Sequence, residues 1–218
     1  MSDGTTTRVD FAGIQALSSR AAGYSVAAKC LEVQAGAEAR DPSLRTTDGV
    51  KLHDDARSWY LGAIGEMKVG ELLAGLGPAW FVRHAVPIGA GTKDVDHLVI
   101  GPSGVFSINT KHRAGASIWV GDTALKVNNQ ASDYIRSAKR DSADVARRLT
   151  AKVGFPVVVT ATLAFVNARS IKDSGVAATR GVCVVDAKRL AAWLRGRPRQ
   201  LSDTELALIR IAAEEPET

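Results

Sequence analysis

Hydrophobic positions along this chain change period several times, and each change predicts an element. From Asp55 to Leu76 they recur at helical spacing until Gly77-Pro78, after which AWFVRHAVPI reads as a strand. DVDHLVI and VFSINTK are β-rich runs on either side of GPSG, predicting a hairpin with a four-residue connection. A second hairpin is expected across SIWVGDTALKV, with Gly121-Asp122 at its tip. Residues 130–150 predict a strongly amphipathic helix, FPVVVTATLAFV a buried strand and GVCVVD another, and AKRLAAWLRG and DTELALIRIAAEE two closing helices. The run 157–166 is nearly all apolar, which suits the centre of a sheet covered on both faces. The order helix, strands, helix, strand, strand, helix predicts an α/β sandwich with a mixed sheet.

Ahead of this lies a stretch of different character. Residues 12–38 are rich in Ala, with Leu17, Tyr24, Val26, Leu31 and Val33, and the loop formers DPSLRTTDG follow. A helical N-terminal extension over 1–54, a main domain over 55–200 and a C-terminal helix and tail over 201–218 are expected. With 218 residues, 45% of them hydrophobic, the chain can bury a full core. Cys30 and Cys183 have no metal-ligand spacing and read as reduced thiols. The N-terminus lacks a basic region followed by an apolar one, and no apolar run reaches the ~18 residues a membrane span needs. A cytoplasmic protein with no membrane partner is expected. Charge is uneven: residues 1–60 hold 7 Lys/Arg against 8 Asp/Glu, and the remainder 21 against 15. A basic excess confined to the later part is what a phosphate-binding surface requires, although many soluble proteins share it.

Side-chain alternation along VFSINTK puts Phe106 and Ile108 on one face and Ser107, Asn109 and Lys111 on the other, one face core and one polar. Asp94 and Asp96 share a face of the preceding strand, so the hairpin can present an Asp beside Asn109 and Lys111. Any half-exposed hairpin shows the same alternation. Glu66 adds weight, because at ~100° per residue it falls on the packing side of its helix with Trp59, Ala63, Gly70 and Leu73. A buried carboxylate needs a metal, a lysine or a hydrogen-bond network to hold it, or else forms a structural ion pair. Gly62, Ala63, Gly65 and Gly70 around it permit close approach to the sheet.

The stretches GAIGEMKVGELL, DVDHLVIGPSGVFSINTKH and NNQ together resemble the nuclease-related domain (NERD), especially its actinobacterial branch, over roughly residues 58–200. The resemblance implies a restriction-endonuclease-like fold of the PD-(D/E)xK type, a central mixed sheet flanked by helices. It implies hydrolysis of phosphodiester bonds in nucleic acid, DNA first, with Mg²⁺ or Mn²⁺ as cofactor and no small-molecule cofactor. Position by position, Asp96 matches the metal-binding Asp, Lys111 the catalytic Lys, Glu66 the acid of the first helix and Gln130 the polar residue opening the later helix. Asn109 stands where the fold usually carries Glu or Asp. Asp96 and Glu66 would hold the metal, with Asn109 offering a neutral oxygen in place of a charge. Lys111 would orient the attacking water or neutralise the phosphate. Because Asn109 removes a charge, a non-cleaving nucleic-acid-binding accessory is the alternative, and a protein-interaction scaffold a third.

Nucleic-acid contact is also expected from Arg136, Arg140 and Arg147, which fall within about 40° on one helix face, and from Lys111, His112 and Arg113. Asp141 and Asp144 interrupt that helical row, so a solvated charged face reads equally well. His97 alternates away from Asp96 and is expected to pack or bond on the other side. Ser103 is a turn residue, since no strand-GxSxG-helix pattern surrounds it. Residues 89–93, GAGTK, lack phosphate-loop spacing and are expected to form a loop. The oligomeric state is open, a dimer included.

Overall fold

A computed structural model describes residues 20–88, 93–121, 124–173 and 181–214. The tip of the second predicted hairpin at Asp122, most of the loop 89–93 and the part of the N-terminal helix before residue 20 lie outside these.

The chain runs α1 (Tyr24–Arg40), β1 (Arg45–Thr46), β2 (Gly49–Val50), α2 (Asp54–Ala74), β3 (Phe81–Pro87), β4 (Asp94–Gly101) and β5 (Gly104–His112). It continues through β6 (Ser117–Val120), β7 (Leu125–Val127), β8 (Gln130–Ser132), α3 (Tyr134–Val153), β9 (Val159–Val166) and β10 (Ser170–Asp173), then β11 (Val182–Asp186), α4 (Leu190–Arg195) and α5 (Asp203–Glu214). The main sheet has the order β11-β9-β5-β4-β3, antiparallel across β3, β4 and β5 and parallel from β5 through β9 to β11. Helices cover both faces, giving the mixed sheet flanked by helices that was expected. On one face Val69 and Leu73 of α2 and Leu190 and Leu194 of α4 pack on Val99, Phe106 and Ile108. On the other, Val145 and Leu149 of α3 and Leu206 and Ile209 of α5 pack on Leu98, Ile100 and Val105.

This second layer alters the expectation that Ser107 and Asn109 lie on a half-exposed polar face. β5 is buried on both sides over residues 104–110, because α3 and α5 close the face that its alternation left polar. The hairpin connection is also tighter than expected. Gly101 pairs with Gly104, leaving Pro102 and Ser103 at the tip, where Ser103 Oγ donates to the Leu194 carbonyl at 3.0 Å.

A smaller sheet, β10-β6-β7-β8, includes a strand where a helix was expected. Gln130 does not open a helix: it lies in β8, paired with Val127, and α3 starts only at Tyr134. Asn128 and Asn129 carry positive φ of 48° and 66°, so they form a two-residue turn of the type that asparagine tolerates and a hairpin's twist prefers.

α1 packs along α2 through small residues. A Cβ on Gly70 would lie 2.4 Å from the Ala22 Cβ, so glycine is required where the turn leading into α1 crosses α2. Among the described residues no helix is long and apolar enough to cross a membrane.

Candidate active site at the β4–β5 split

The β4–β5 ladder ends at the pair His97↔Ile108, while β4 stays paired to β3 as far as Asp94 and β5 stays paired to β9 as far as His112. Beyond that pair the two strands part. Asp96 is the first residue past the split. The Thr110 N–H, left without a strand partner on that side, donates to Asp96 Oδ2 at 2.5 Å. The aspartate is thereby fixed at the mouth of the gap.

Glu66 arrives from α2 on the opposite layer. Its helix can come this close because the next residue back is glycine: a Cβ on Gly65 would lie 2.9 Å from the His112 Cβ and 3.4 Å from the Thr110 Cγ2. Glu66 is 7% exposed and Asp96 9%, and both line one cavity of about 520 Å³ with Thr110, Lys111, His112 and Arg113. Burial, followed by the charges of Asp96 and Asp94, pushes the Glu66 carboxyl up to about 9, against smaller opposing effects from Lys111 and the Gly23 backbone N–H at the start of α1. Burial also raises Asp96, to about 6, with Lys111 and the Thr110 N–H holding it down. Two acids forced together in a shared cavity favour a proton or a cation between them.

Lys111 Nζ donates to the Thr110 carbonyl at 3.1 Å and stands 5.3 Å from the centroid of the Tyr134 ring. Arg113 joins the same ring: its Nε donates to the Tyr134 hydroxyl at 3.1 Å. Tyr134, the first residue of α3, carried no sequence signal for this role, since its position follows from the β7–β8 hairpin that turns the chain back. Behind the site, Thr110 Oγ1 lies 3.2 Å from His97 Nε2, and His97 Nδ1 lies 2.8 Å from His84 Nδ1. Burial holds both imidazoles below their usual range, disfavouring a charge on either. His97 therefore bonds on the side away from Asp96, as its strand parity requires.

The remaining candidates separate. Asn109 pairs in β5 beside these groups but does not line the cavity; it is 8% exposed, and its amide Nδ2 is buried with no hydrogen-bond partner. Gln130 is exposed in β8 and does not line the cavity either. Arg136, Arg140 and Arg147 stay on the outer face of α3. Arg136 faces Asp133 at 3.9 Å, Arg140 Nη2 donates to Ser137 Oγ at 3.4 Å, and Arg147 pairs with Asp144. The first-helix acid, the Asp and the Lys are thus brought together, while the helix row is not part of the cavity.

The residues present fit a hard divalent cation in part. Asp96 and Glu66 supply oxygen donors whose mutual repulsion a cation would relieve. Among the described residues no group of three or more His, Cys, Asp or Glu gathers at one point, so the donor set ends at two acids unless the Asn109 amide turns its oxygen inward.

The fold is thus a mixed α/β sheet whose split strands carry an Asp and a Lys, with an acid entering from α2. Residues 61–166 match the NERD family, described as the nuclease-related domain, and this part of the chain is a nuclease-related domain. No curated protein matches the chain. Among solved structures, that of Pyrococcus furiosus SfsA in complex with Ca²⁺ is similar at 18% identity with a TM-score of 0.29, over 58% of this chain and 55% of that one. The match therefore spans little more than half the length of that protein.

Proposed function

We propose that the cavity at the β4–β5 split hydrolyses phosphodiester bonds in nucleic acid, DNA first, with Mg²⁺ or Mn²⁺ bound by Asp96 and Glu66. The supporting observation is the pair of buried acids facing Lys111 in one cavity open to solvent. When bound, the cation supplies charge stabilisation for the phosphate and lowers the pKa of a water nucleophile. Lys111 holds its charge toward the scissile phosphate from the end of β5, and the Thr110 N–H keeps Asp96 oriented. His112 and Arg113 extend the cationic wall along the same strand end.

The test is incubation with plasmid, linear and single-stranded DNA and with RNA, plus Mg²⁺ or Mn²⁺, beside Asp96→Ala and Lys111→Ala. Cleavage lost in both variants supports the assignment. Equal cleavage by all three proteins overturns it.

A second reading, a domain that binds nucleic acid without cutting it, is favoured by Asn109, whose buried amide replaces a charge. Here binding would fall with salt and persist, weakened but measurable, in Lys111→Ala, with no metal-dependent nicking. Asn109→Asp separates the two: restored charge that raises metal affinity and cleavage favours a weakened enzyme, and a variant that still does not cut favours the binder.

A further inference from the structure

The cavity has a second wall that hydrolysis does not need. Opposite the cationic end of β5, α2 presents Trp59 and Leu61, and α1 contributes Val26. Trp59 is 39% exposed. Trp59 and Val26 also line a neighbouring opening of about 480 Å³ bounded by Tyr24, Lys29 and Asp94. The indole thus stands at the junction of two openings, one of which holds Glu66, Asp96 and Lys111. Exposing so large an apolar group beside buried acids forfeits stability that the fold would gain by covering it.

The cations across the cavity are also available. Arg136 and Arg147 on α3 are matched by Asp133 and Asp144. Lys111 and Arg113 instead rest against the Tyr134 ring and hydroxyl, and among the described residues no carboxylate pairs with either. One wall therefore offers an aromatic face and the other two cations that no salt bridge ties down, Lys111 facing the acids Asp96 and Glu66 across the cavity. An unpaired nucleotide presents the complement of both, a base whose π-face is free and a phosphate. A duplex keeps its base faces stacked inside and presents phosphates and groove edges, for which an aromatic wall has no use.

We infer that the cleft takes single-stranded nucleic acid, with a base stacked on Trp59 and the adjoining phosphate drawn to Lys111 and Arg113. The inference rests on the proposed nucleic-acid site but concerns binding, so it is tested with catalysis switched off. Fluorescence anisotropy in chelator, using the full chain, compares labelled single-stranded DNA and RNA ten-mers with a blunt DNA duplex of the same length. The expected result is single-strand binding about tenfold or more tighter than duplex binding. Trp59→Ala should weaken the single strand by about tenfold, Trp59→Phe by much less, and neither should change the duplex. Lys111→Ala should weaken both forms and flatten the salt dependence. Trp59-dependent single-strand binding without cleavage in any metal would uphold the inference and sink the hydrolase reading. Cleavage of both forms with Trp59→Ala silent would do the reverse. Duplex binding equal to or tighter than single-strand binding, or no binding of either at low salt, overturns the inference.

Discussion

Metal binding at the split should be coupled to proton release, and the coupling has a magnitude. Glu66 is raised to about 9 and Asp96 to about 6, both chiefly by burial. At pH 7 Asp96 is largely ionised, but ionising Glu66 two units below its pKa costs about 3 kcal/mol, or roughly 100-fold in affinity for a cation that needs its carboxylate. Mn²⁺ affinity should therefore rise about tenfold per unit from about pH 7 towards 9, with one proton released, and should steepen towards two protons below about pH 6, where Asp96 also holds its proton. Isothermal titration calorimetry in buffers of different ionisation enthalpy reads both numbers. Glu66→Gln should abolish the slope above pH 7 and leave weak binding. The metal-free protein should behave oppositely. Both acids hold protons more tightly folded than unfolded, so their contribution favours the fold below about pH 4 and is lost as pH rises towards 9. Glu66→Gln should therefore raise the melting temperature of metal-free protein at pH 8, where it removes the larger part of that loss. A dissociation constant for Mn²⁺ that stays flat from about pH 7 to 9, with no buffer-dependent heat, refutes the reasoning.

Two further predictions concern how the site is held. Gly65→Ala should cost about 1–3 kcal/mol in urea denaturation, because its Cβ would lie 2.9 Å from the His112 Cβ, whereas Gly36→Ala, which meets only the Arg40 Nη1 at 3.7 Å, should be neutral or stabilising. Equal effects would show that α2 does not need glycine against β5. Asn129→Gly should leave thermal stability unchanged or raised, and Asn129→Val should lower it by about 1–2 kcal/mol, since valine at a φ of 66° is strained; a tolerated valine argues against the turn.

Much of the site was legible because it depends on local periods. Strand parity placed Asp96 with Lys111 and turned His97 away, and helical phase put Glu66 on the buried side of α2. What parity cannot show is where two paired strands part, and the site exists because β4 pairs with β5 only from His97 onward. It also cannot show what covers a face. Asn109 and Ser107 read as exposed from their polarity, yet α3 packs over β5, leaving the Asn109 Nδ2 and the Ser107 Oγ buried without partners. Gln130 was misplaced for a local reason, since Asn128-Asn129 is a hairpin signal that the strong period of α3 overrode. The parallel pairing of β10 with β6 joins residues about 50 positions apart and leaves no mark on either segment alone.

The seating of α1 on α2 bears on what counts as one unit in this chain. The stretch that matches the nuclease-related domain begins at Leu61, inside α2, and ends at Val166. A fragment cut to that stretch would begin mid-helix, lose the Gly23 N–H that faces Glu66, and strip Leu190, Leu194 and Ile209 from the two faces of the sheet. What has been kept recognisable through divergence is smaller than what must be synthesised together to stand up, and expression boundaries belong at the second of these.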